Sequence, residues 1–233
     1  MGGTPNVNPG EWRKEKAPKQ MISGPIGREV VHYEAPPSEL VPTEMEGFIE
    51  WYSSSVFPLK GEIAEGVLRS AIAHLYFESI HPFEDGNGRI GRAVAEKALS
   101  QSLNRPVMLS LSKTIEKNKK DYYNALKEAQ RSLNITPWIH YFTQVILDAQ
   151  RDAKSMVQFT LKKARFFDYY REKLNERQSK AVLKVMEQGV DGFEGGMTAK
   201  KYMSITRTSK ATATRDLQQL YDLGVFTREG GGR

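Results

Sequence analysis

The stretch that decides the fold is His81-Pro82-Phe83-Glu84-Asp85-Gly86-Asn87-Gly88-Arg89-Ile90-Gly91-Arg92. Apolar periodicity on either side predicts that it joins the end of one helix to the start of the next. Gly86 and Gly88 let backbone N–H groups turn inward, and the first turn of the following helix adds further free amides. A nest of this kind binds phosphate oxygens. The stretch therefore predicts a phosphate-binding loop.

The charged side chains of the loop suit a nucleotide. Arg89 and Arg92 share one face of the predicted helix and can hold further phosphates. Asp85 is a hard oxygen ligand, placed where Mg²⁺ would bridge it to those phosphates. His81 stands just before the loop and can accept a proton from a hydroxyl that attacks the bound phosphate. Singly, a capping histidine, a turn and a solvated arginine pair are ordinary structural features, but their conjunction favours a catalytic site.

Composition excludes several classes of protein. The 233 residues carry a formal net charge of +6, which is modest evidence for nucleic-acid binding, and they allow one domain with a small appendage. The chain has no cysteine, which excludes disulfides, thiolate catalysis and cysteine-ligated metal sites. It has no apolar run as long as a membrane span and no apolar N-terminal stretch like a signal peptide. We therefore expect a cytoplasmic protein with no membrane partner.

Residues 20–37, upstream of the loop, have β-rich ends around Gly24-Pro25-Ile26-Gly27, which predicts a β-hairpin that Pro36-Pro37 ends. From Ser38 to about Gln150 the pattern is helical, so the fold class is all-α with one hairpin. Helices are expected near 45–52, from about 61 to 79, from near Asn87 to a stop at Asn104-Arg105-Pro106, over 113–131 and over 137–170. The apolar faces of the first two are formed by Met45, Phe48, Ile49 and Tyr52, and by Ile63, Val67, Ala71 and Leu75.

The last part of the chain differs, and we place a domain boundary near residue 175. A helix over 176–188 is followed by a short helix that Thr198 opens and by a longer one that Ser209 caps and Gly224 ends. A strand is expected over 225–229, before the glycine-rich tail. This order is typical of a small winged helix-turn-helix domain. DNA binding, protein docking and dimerisation all stay open for this domain. Thr212 and Thr214 lie in its candidate recognition helix, and its basic residues are Lys200, Lys201, Arg207, Lys210 and Arg215.

The loop resembles the signature of the Fic family, His-x-Phe-x-Asp/Glu-Gly-Asn-Gly-Arg-x-x-Arg, at every specified position. The hairpin over 20–37 resembles the flap of that family, and Pro9-Gly10-Glu11-Trp12-Arg13 resembles the approach to it. Asp121-Tyr122-Tyr123, with Leu126 and Ala129, is similar to the family's nucleotide-side helix. The resemblance covers roughly residues 9–150. It implies a Fic-fold helical core with a flap over residues 1–175, before the winged-helix domain over 176–233.

The resemblance also implies an activity, the transfer of AMP from ATP to a Ser, Thr or Tyr hydroxyl of a target protein held along the flap. His81 would be the general base, Phe83 a buried support of the loop, and Asp85 the ligand of Mg²⁺. The nucleotide-binding stretch would comprise Asp85, Gly86, Asn87, Gly88, Arg89, Ile90, Gly91 and Arg92. A nucleotide-side role and a core or surface role are equally open for Val31, His32, Tyr33, Glu34, Tyr122 and Tyr123.

Other reactions fit the same signature. The related Doc-type kinases carry Lys where this chain has Gly88, so Gly88 favours AMP transfer over phosphorylation. Transfer of UMP or phosphocholine stays open, as does a DNA-binding regulator whose Fic domain senses nucleotide. A homo-oligomer is also compatible with the sequence.

Many Fic relatives restrain themselves with a helix that bears Ser/Thr-x-x-x-Glu-Gly/Asn, whose glutamate pairs with the second signature arginine. Residues 43–47 are one residue short of this pattern, and Gly61 stands where a hydroxyl should precede Glu65-Gly66. We expect that the sequence is an N-terminally shortened form or that another polypeptide supplies the glutamate. Arg92 is then free of its competitor, and the chain as given is expected to be released from inhibition.

Overall fold

The computed structural model describes residues 10–14, 19–23, 30–55 and 63–228, with the backbone alone at 20–23, 30–32 and Asp191. This part of the chain is predominantly helical, as predicted. Its elements are β1 (Gln20–Ser23), β2 (Val30–Glu34), α1 (Val41–Ser54), α2 (Ile63–Ile80), α3 (Asn87–Ser102), α4 (Leu111–Lys117), α5 (Lys119–Ala129), α6 (Thr136–Tyr170), α7 (Glu176–Met186), α8 (Ala199–Thr206) and α9 (Lys210–Asp222). No helix among the described residues combines the length and apolar composition that a membrane span needs.

The predicted hairpin is present. Strands β1 and β2 pair antiparallel, with Gln20 opposite Glu34, and a register shift leaves His32 as the extra residue of a bulge. The pairing continues one step further, because the Ala35 amide donates to the carbonyl of Lys19 at 3.0 Å. The proline pair follows directly and ends the strand. The predicted turn at 24–27 lies outside the described residues.

Helices α2 and α3 pack against each other at the centre of the all-α core. The larger apolar cluster joins them to α4, α5 and α6, and its bulkiest buried members are Leu99, Leu111, Leu126, Trp138, Phe142 and Ile146. A second cluster lies between α1 and α2 and contains Val41, Met45, Phe48, Phe77 and Ile80. Of the predicted apolar faces, Ala71 and Leu75 belong to the larger cluster and Met45 and Phe48 to the second, while Val67 and Tyr52 are partly buried against them.

Two residues of those predicted faces lie outside the core. Ile49 is 53% exposed, because α1 packs on α2 through Met45 and Phe48 and the next residue round the helix projects to solvent. Ile63 is 59% exposed because it is the first residue of α2. The predicted single helix over 113–131 is also interrupted. Asn118 leaves the helical region at φ −132°, ψ 49°, and separates α4 from α5.

The chain divides into two compact units, residues 1–153 and 154–233, and the division falls within α6. The sequence placed a domain boundary near residue 175, in a polar stretch. Asn175 is the N-cap of α7. The Asn175 side chain accepts a hydrogen bond from the Gln178 main-chain amide, and the Gln178 side chain accepts one from the Asn175 main-chain amide. The polar signal therefore marks a helix start, and the assignment of the two parts to a Fic domain and a winged-helix domain stays a prediction.

The second unit packs α7, α8 and α9 around a small core that includes Ala181, Val182, Tyr202, Ala213 and Leu220. The predicted caps are confirmed, since Thr198 accepts from the Lys201 amide and Ser209 from the Thr212 amide. Asp216, on α9, is buried and bonded to Arg177 of α7 and Tyr202 of α8. This shared carboxylate holds the three helices together.

The predicted strand over 225–229 is wrong for its described residues, 225–228. The amides of Val225 and Phe226 both donate to the carbonyl of Leu220, which closes the C-terminal end of α9. Gly224 makes this closure possible with a φ of 71°. Their side chains pack on the core of the unit. The β-branched and aromatic signal therefore reflects burial against the helix end.

Candidate active site

His81 lies one residue beyond α2, in a left-handed backbone conformation with φ 51°. Its amide still donates to Phe77 at 3.0 Å, so the helix ends here with its last hydrogen bond made. The left-handed turn directs the chain away from the helix axis into the loop. The side chain of His81 is only 17% exposed. The predicted base therefore stands on a fixed helix end, in a largely enclosed position.

The main chain around His81 is held by Arg13, which is 2% exposed. The Arg13 guanidinium donates to the carbonyl oxygens of His81 at 2.9 Å and Ile80 at 3.4 Å, and also to that of Pro36. The Arg13 amide donates to Pro82 at 2.9 Å. One side chain thus fixes the end of α2 to the exit of the hairpin. Burial lowers the pKa of Arg13 from its ordinary value.

A second connection joins the hairpin to the loop through Glu84. The Lys19 ammonium donates to the Glu84 carbonyl at 3.2 Å and to its carboxylate at 3.4 Å. The Lys14 amide donates to the other carboxylate oxygen at 3.1 Å. Higher on β2, the Tyr33 hydroxyl donates to the carbonyl of Ser79 at 3.0 Å. The base of the hairpin is therefore held directly against the candidate loop.

The loop is closed by Asn87 and Phe83. The Asn87 side chain accepts from the Phe83 amide at 2.9 Å and donates to the Phe83 carbonyl at 2.7 Å. The Phe83 ring packs against Trp12 and Phe77, but it is half-buried and not fully buried as predicted, because these contacts cover only part of the ring. Asn87 itself is 2% exposed. Its side chain thus maintains the loop shape, which leaves only its backbone amide to face an anion.

The N-terminus of α3 forms a corner lined by free backbone amides, at the place where the sequence predicts anion binding. Gly86 precedes the helix in the left-handed region, with φ 87°, and the Ile90 amide makes the first hydrogen bond back to it. The amides of Asn87, Gly88 and Arg89 belong to the first turn, where helical amides have no intrahelical partner. They point out of the helix end, together with the positive end of the helix dipole.

Two arginines and a carboxylate border this corner. Arg89 donates to Asp85 at 3.3 Å, and both side chains are 75% exposed. Arg92, one turn further along α3, donates through Nε to the hydroxyl of Ser112 in α4 at 2.7 Å. The guanidinium of Arg92 is thereby oriented from a separate helix. The two cations are positioned to meet successive phosphates.

The electrostatics suit a neutral base at His81. Burial, together with the nearby charges of Lys19 and Arg13, lowers the pKa of its imidazole to about 4. The imidazole is therefore uncharged at neutral pH and has a lone pair available for a proton.

The remaining predicted site residues have different environments. Tyr122 is buried in the larger apolar cluster, with its hydroxyl 3.0 Å from Nε2 of His74, whereas Tyr123 is 55% exposed. Tyr33 is half-buried and Glu34 is exposed on β2. Ile90 is 38% exposed, and Gly91 is buried against α2. The side chains of Val31 and His32 lie outside the described residues.

The sequence of this chain is similar to those of known proteins. Residues 1–99 match the Fic/DOC family model. The matched residues include strands β1 and β2 and the loop over 81–92. The chain is 28% identical over 119 residues to a probable protein adenylyltransferase of Aquifex aeolicus, covering 51% of this chain and 33% of that protein. It is 29% identical over 106 residues to the protein adenylyltransferase Fic of Nematostella vectensis, covering 46% and 22%. The chain thus spans a third or less of the length of these relatives.

Two solved structures are also similar to this chain. A Fic family protein from Desulfovibrio desulfuricans matches with a TM-score of 0.44 and 22% identity, covering 84% of this chain and 52% of that one. A Fic domain-containing signaling protein from Bacteroides thetaiotaomicron matches with a TM-score of 0.48 and 24% identity, covering 64% and 56%.

Sequence reasoning missed the roles of several residues that shape the candidate site. Arg13, Lys19 and Glu84 connect the hairpin to the loop, and Ser112 orients Arg92, yet each partner is distant in sequence. The only available signal was the placement of basic residues just before the hairpin. Glu78 is a further omission: it lies within α2, three residues before His81, and is 3% exposed.

Proposed function

We propose that the chain is a protein adenylyltransferase, which transfers AMP from ATP to a Ser, Thr or Tyr hydroxyl of a target protein. The observation that carries the proposal is the placement of a neutral, enclosed His81 at the end of α2, directly before the anion-binding N-terminus of α3. A base and a phosphate site are thereby supplied by adjoining helix ends. The named relatives support the same reaction class.

The phosphates would lie against α3. Free amides at its first turn suit one phosphate, and the guanidiniums of the exposed Arg89 and the half-buried Arg92 suit the next two. This arrangement would hold the triphosphate along the helix start and present its α-phosphorus to the side of His81. Holding the reacting groups in line supplies much of the rate enhancement.

The proposed reaction exchanges one phosphorus–oxygen bond for another. The target hydroxyl oxygen bonds to the α-phosphorus of ATP, and the bond from that phosphorus to the oxygen bridging the β-phosphate breaks. His81 takes the hydroxyl proton, and pyrophosphate leaves with the electron pair of the broken bond. AMP stays on the target, and His81 returns its proton to solvent.

Asp85 fits a magnesium ligand. It offers a hard, 75% exposed carboxylate beside the N-terminus of α3, with Arg89 as its neighbour. Magnesium characteristically takes one or two protein carboxylates and completes its shell with phosphate oxygens and water. When bound, the ion would supply neutralisation of phosphate charge.

The hairpin is proposed to hold the target protein. An extended target segment would pair with the backbone of a strand beside the loop, which recognises main chain more than side chains. The hydrogen bonds of Arg13 and Lys19 hold the hairpin beside His81 and the loop, which supports this role. This arrangement would present a hydroxyl to the base while leaving the identity of the neighbouring side chains open.

Incubation of the chain with ATP labelled at the α-phosphate tests the proposal, because such enzymes often modify themselves. We expect label on the wild-type chain and none on His81→Ala. His140→Ala is the matched control, since His140 is an exposed histidine of α6. Equal labelling of wild type and His81→Ala would overturn the role of His81. Label that is retained only from γ-labelled ATP would show phosphorylation instead.

DNA binding by the second unit is a second candidate function. Lys200 of α8, Arg207 and the α9 residues Lys210 and Arg215 are exposed, while the nearby Asp216 is buried and paired with Arg177. The positive charge on this part of the surface is therefore not cancelled by that acid. Lys201 contributes less, because it donates to the carbonyls of Glu194 and Gly196.

Titration with duplex DNA at several salt concentrations tests this candidate. We expect Lys210→Glu/Arg215→Glu to weaken binding and flatten its salt dependence, since each lost phosphate contact reduces counterion release. Lys162→Glu/Arg165→Glu, at two exposed positions of α6, is the charge-matched control, since it also replaces one lysine and one arginine. Identical binding curves for the two variants would contradict a DNA contact through α9.

A further inference from the structure

Three polar atoms without hydrogen-bond partners lie on α2 and at its C-terminal end. They are Nδ1 of His74, Oε1 of Glu78 and Nδ1 of His81, and each is fully shielded from solvent. The spacing of His74 and Glu78 places them on the same side of α2, and His81 follows one residue beyond the helix. Buried polar atoms are normally bonded, so a cluster of unpaired ones beside a candidate base points to a function.

The middle residue, Glu78, lies between the base and α3. Its Oε2 is 4.0 Å from Nδ1 of His81. Its Oε1 lies where a side chain on Gly91 would stand, 2.5 Å from the position that a Cβ would take. The absence of that side chain gives the carboxylate space to turn. A small rotation of the carboxylate, or one water molecule, closes the remaining gap to His81.

The charged and titratable groups around this pair come from several elements. Glu78 faces Arg92 of α3, Tyr122 of α5 and His74 of its own helix, and its carbonyl accepts from Gln130. Burial raises the pKa of Glu78 to about 7, against the opposing effect of Arg92. Lys19 and Arg13 face His81 from the hairpin side, and the main-chain carbonyl of Glu78 partly offsets their effect on its pKa.

This environment poses a chemical problem that Glu78 solves. With a pKa of about 4, His81 is a weak proton acceptor, and catalysis is most effective when the base has a pKa near the working pH. A carboxylate next to Nδ1 strengthens the base, because it stabilises the positive charge that the imidazole acquires. Glu78 is the buried acid within reach of that atom in the part of the chain that the structure describes.

We propose that Glu78 is a positioning residue for His81. The Glu78 carboxylate accepts a hydrogen bond from Nδ1–H of His81, which leaves Nε2 of His81 as the proton acceptor. The inference rests on the proposed AMP transfer. When His81 takes the target's proton, the negative charge of Glu78 stabilises the imidazolium that forms. This stabilisation lasts until the proton returns to solvent. Glu78 touches neither nucleotide nor target, and it acts through His81.

Two measurements on the full chain test the proposal, with Glu78→Gln as the variant and Glu128→Gln, an exposed glutamate of α5, as the control. The first is ¹⁵N NMR of the imidazole nitrogens, which is tractable because the chain has 4 histidines. We expect Glu78→Gln to lower the pKa of His81 and to change its tautomer population. This readout needs no enzymatic activity.

The second measurement is the pH dependence of self-modification with labelled ATP. We expect the wild-type rate to rise with pH through about 7 as Glu78 ionises. Glu78→Gln is expected to lose that rise and to lower kcat about tenfold or more, with little change in KM for ATP. Glu78→Asp, which keeps the charge, is expected to recover part of the rate. A purely structural role would instead change thermal stability and KM together.

The outcomes separate the two proposals. Unchanged ¹⁵N shifts and titration of His81 in Glu78→Gln would overturn the role of Glu78, whether or not the chain is active. Changed shifts in a chain that transfers no AMP would uphold the Glu78–His81 contact and overturn the proposed function. If Glu78→Gln fails to fold, Glu78→Asp decides, since its shorter carboxylate is expected to weaken the coupling to His81 while preserving the charge.

Discussion

Arg13 donates through its Nε to the carbonyl oxygen of His81 at 2.9 Å, and so a residue before the hairpin fixes the main chain of the candidate base. The same guanidinium reaches Ile80 and Pro36. Arginine suits this place because its planar fork offers several donors at fixed angles. The position of His81 therefore depends on a side chain that is remote in sequence.

Replacement of this fork is the first prediction. Arg13→Lys keeps the charge but leaves buried carbonyl oxygens without donors, and each unsatisfied group destabilises the fold by about 1–3 kcal/mol. We expect a lower free energy of unfolding in urea and slower self-modification. Lys14→Ala is the control, because the Lys14 side chain is 76% exposed. Wild-type stability for Arg13→Lys would contradict this account of the loop.

The second prediction concerns acid. Burial lowers the pKa of His74 to about 4, below the 6.5 of the unfolded chain, so the unfolded state binds protons first as the pH falls. The stability present above pH 6.5 is then lost toward pH 4, by about 2 kcal/mol between pH 6.5 and 5 for this group. We expect His74→Phe to show a smaller loss over that range. Urea titrations at the two pH values measure it.

For each chain, the free energy of unfolding at pH 5 is compared with that of the same chain at pH 6.5. The effect of the substitution on packing is the same at both pH values and therefore cancels. His74→Phe removes the partner of the Tyr122 hydroxyl and is expected to be less stable at pH 7. Glu78 titrates in the opposite sense in both chains, because its pKa is raised. An equal loss of stability in the two chains would mean that His74 is protonated in the folded state.

Arg92 gives the third prediction. Its guanidinium is oriented by Ser112 and is proposed to bind the outer phosphates of ATP. We expect Arg92→Ala to raise KM for ATP and lower AMP transfer, and Ser112→Ala to do so to a smaller degree. Arg105→Ala removes an exposed arginine outside the loop and serves as control. Steady-state kinetics with labelled ATP checks the order. A faster Arg92→Ala enzyme would reverse the proposed role.

The fourth prediction tests why Gly91 has no side chain. A Cβ there would stand 2.5 Å from Oε1 of Glu78 and 3.2 Å from Nδ1 of His74. We expect Gly91→Ala to destabilise the fold by about 1–3 kcal/mol through overpacking. Gly47→Ala, where the nearest neighbour is the Tyr76 hydroxyl at 3.4 Å, should be close to neutral.

A double-mutant cycle sharpens this test. If the clash is with Glu78, the combined Gly91→Ala/Glu78→Ala variant is expected to lose less stability than the sum of the single variants. Additive losses would place the strain elsewhere in the contact between α2 and α3. Thermal and urea unfolding of the four chains supply the comparison.

Local patterns in the sequence predicted much of this structure. The loop, the caps at Thr198 and Ser209 and the hairpin pairing all depend on residues within a few positions of one another, where backbone geometry and periodicity are decisive. The strand expected after α9 failed because Val225 and Phe226 pack on a helix end, a tertiary contact that β-propensity does not describe.

The supporting residues of the site could not be predicted in the same way. Arg13, Ser112 and Glu84 act on partners far along the chain, and a single basic, hydroxyl or acidic residue carries no local signature. Glu78 is close to His81 in sequence, but an acidic residue within a helix normally faces solvent. Its burial depends on the glycine of α3 that packs opposite.

The hydrogen bonds of the Arg13 guanidinium determine the smallest set of residues with which this site could be transferred to another protein. Transplanting residues 80–92 onto another pair of helices would carry over the histidine, the glycines and both arginines, yet leave the carbonyls of Ile80 and His81 without their Arg13 donor. A graft must therefore bring the segment around Arg13 and a receptor for it, the exit of the hairpin at Pro36. The residues that the site needs are therefore discontinuous in the sequence, even though the recognisable motif over residues 81–92 is continuous.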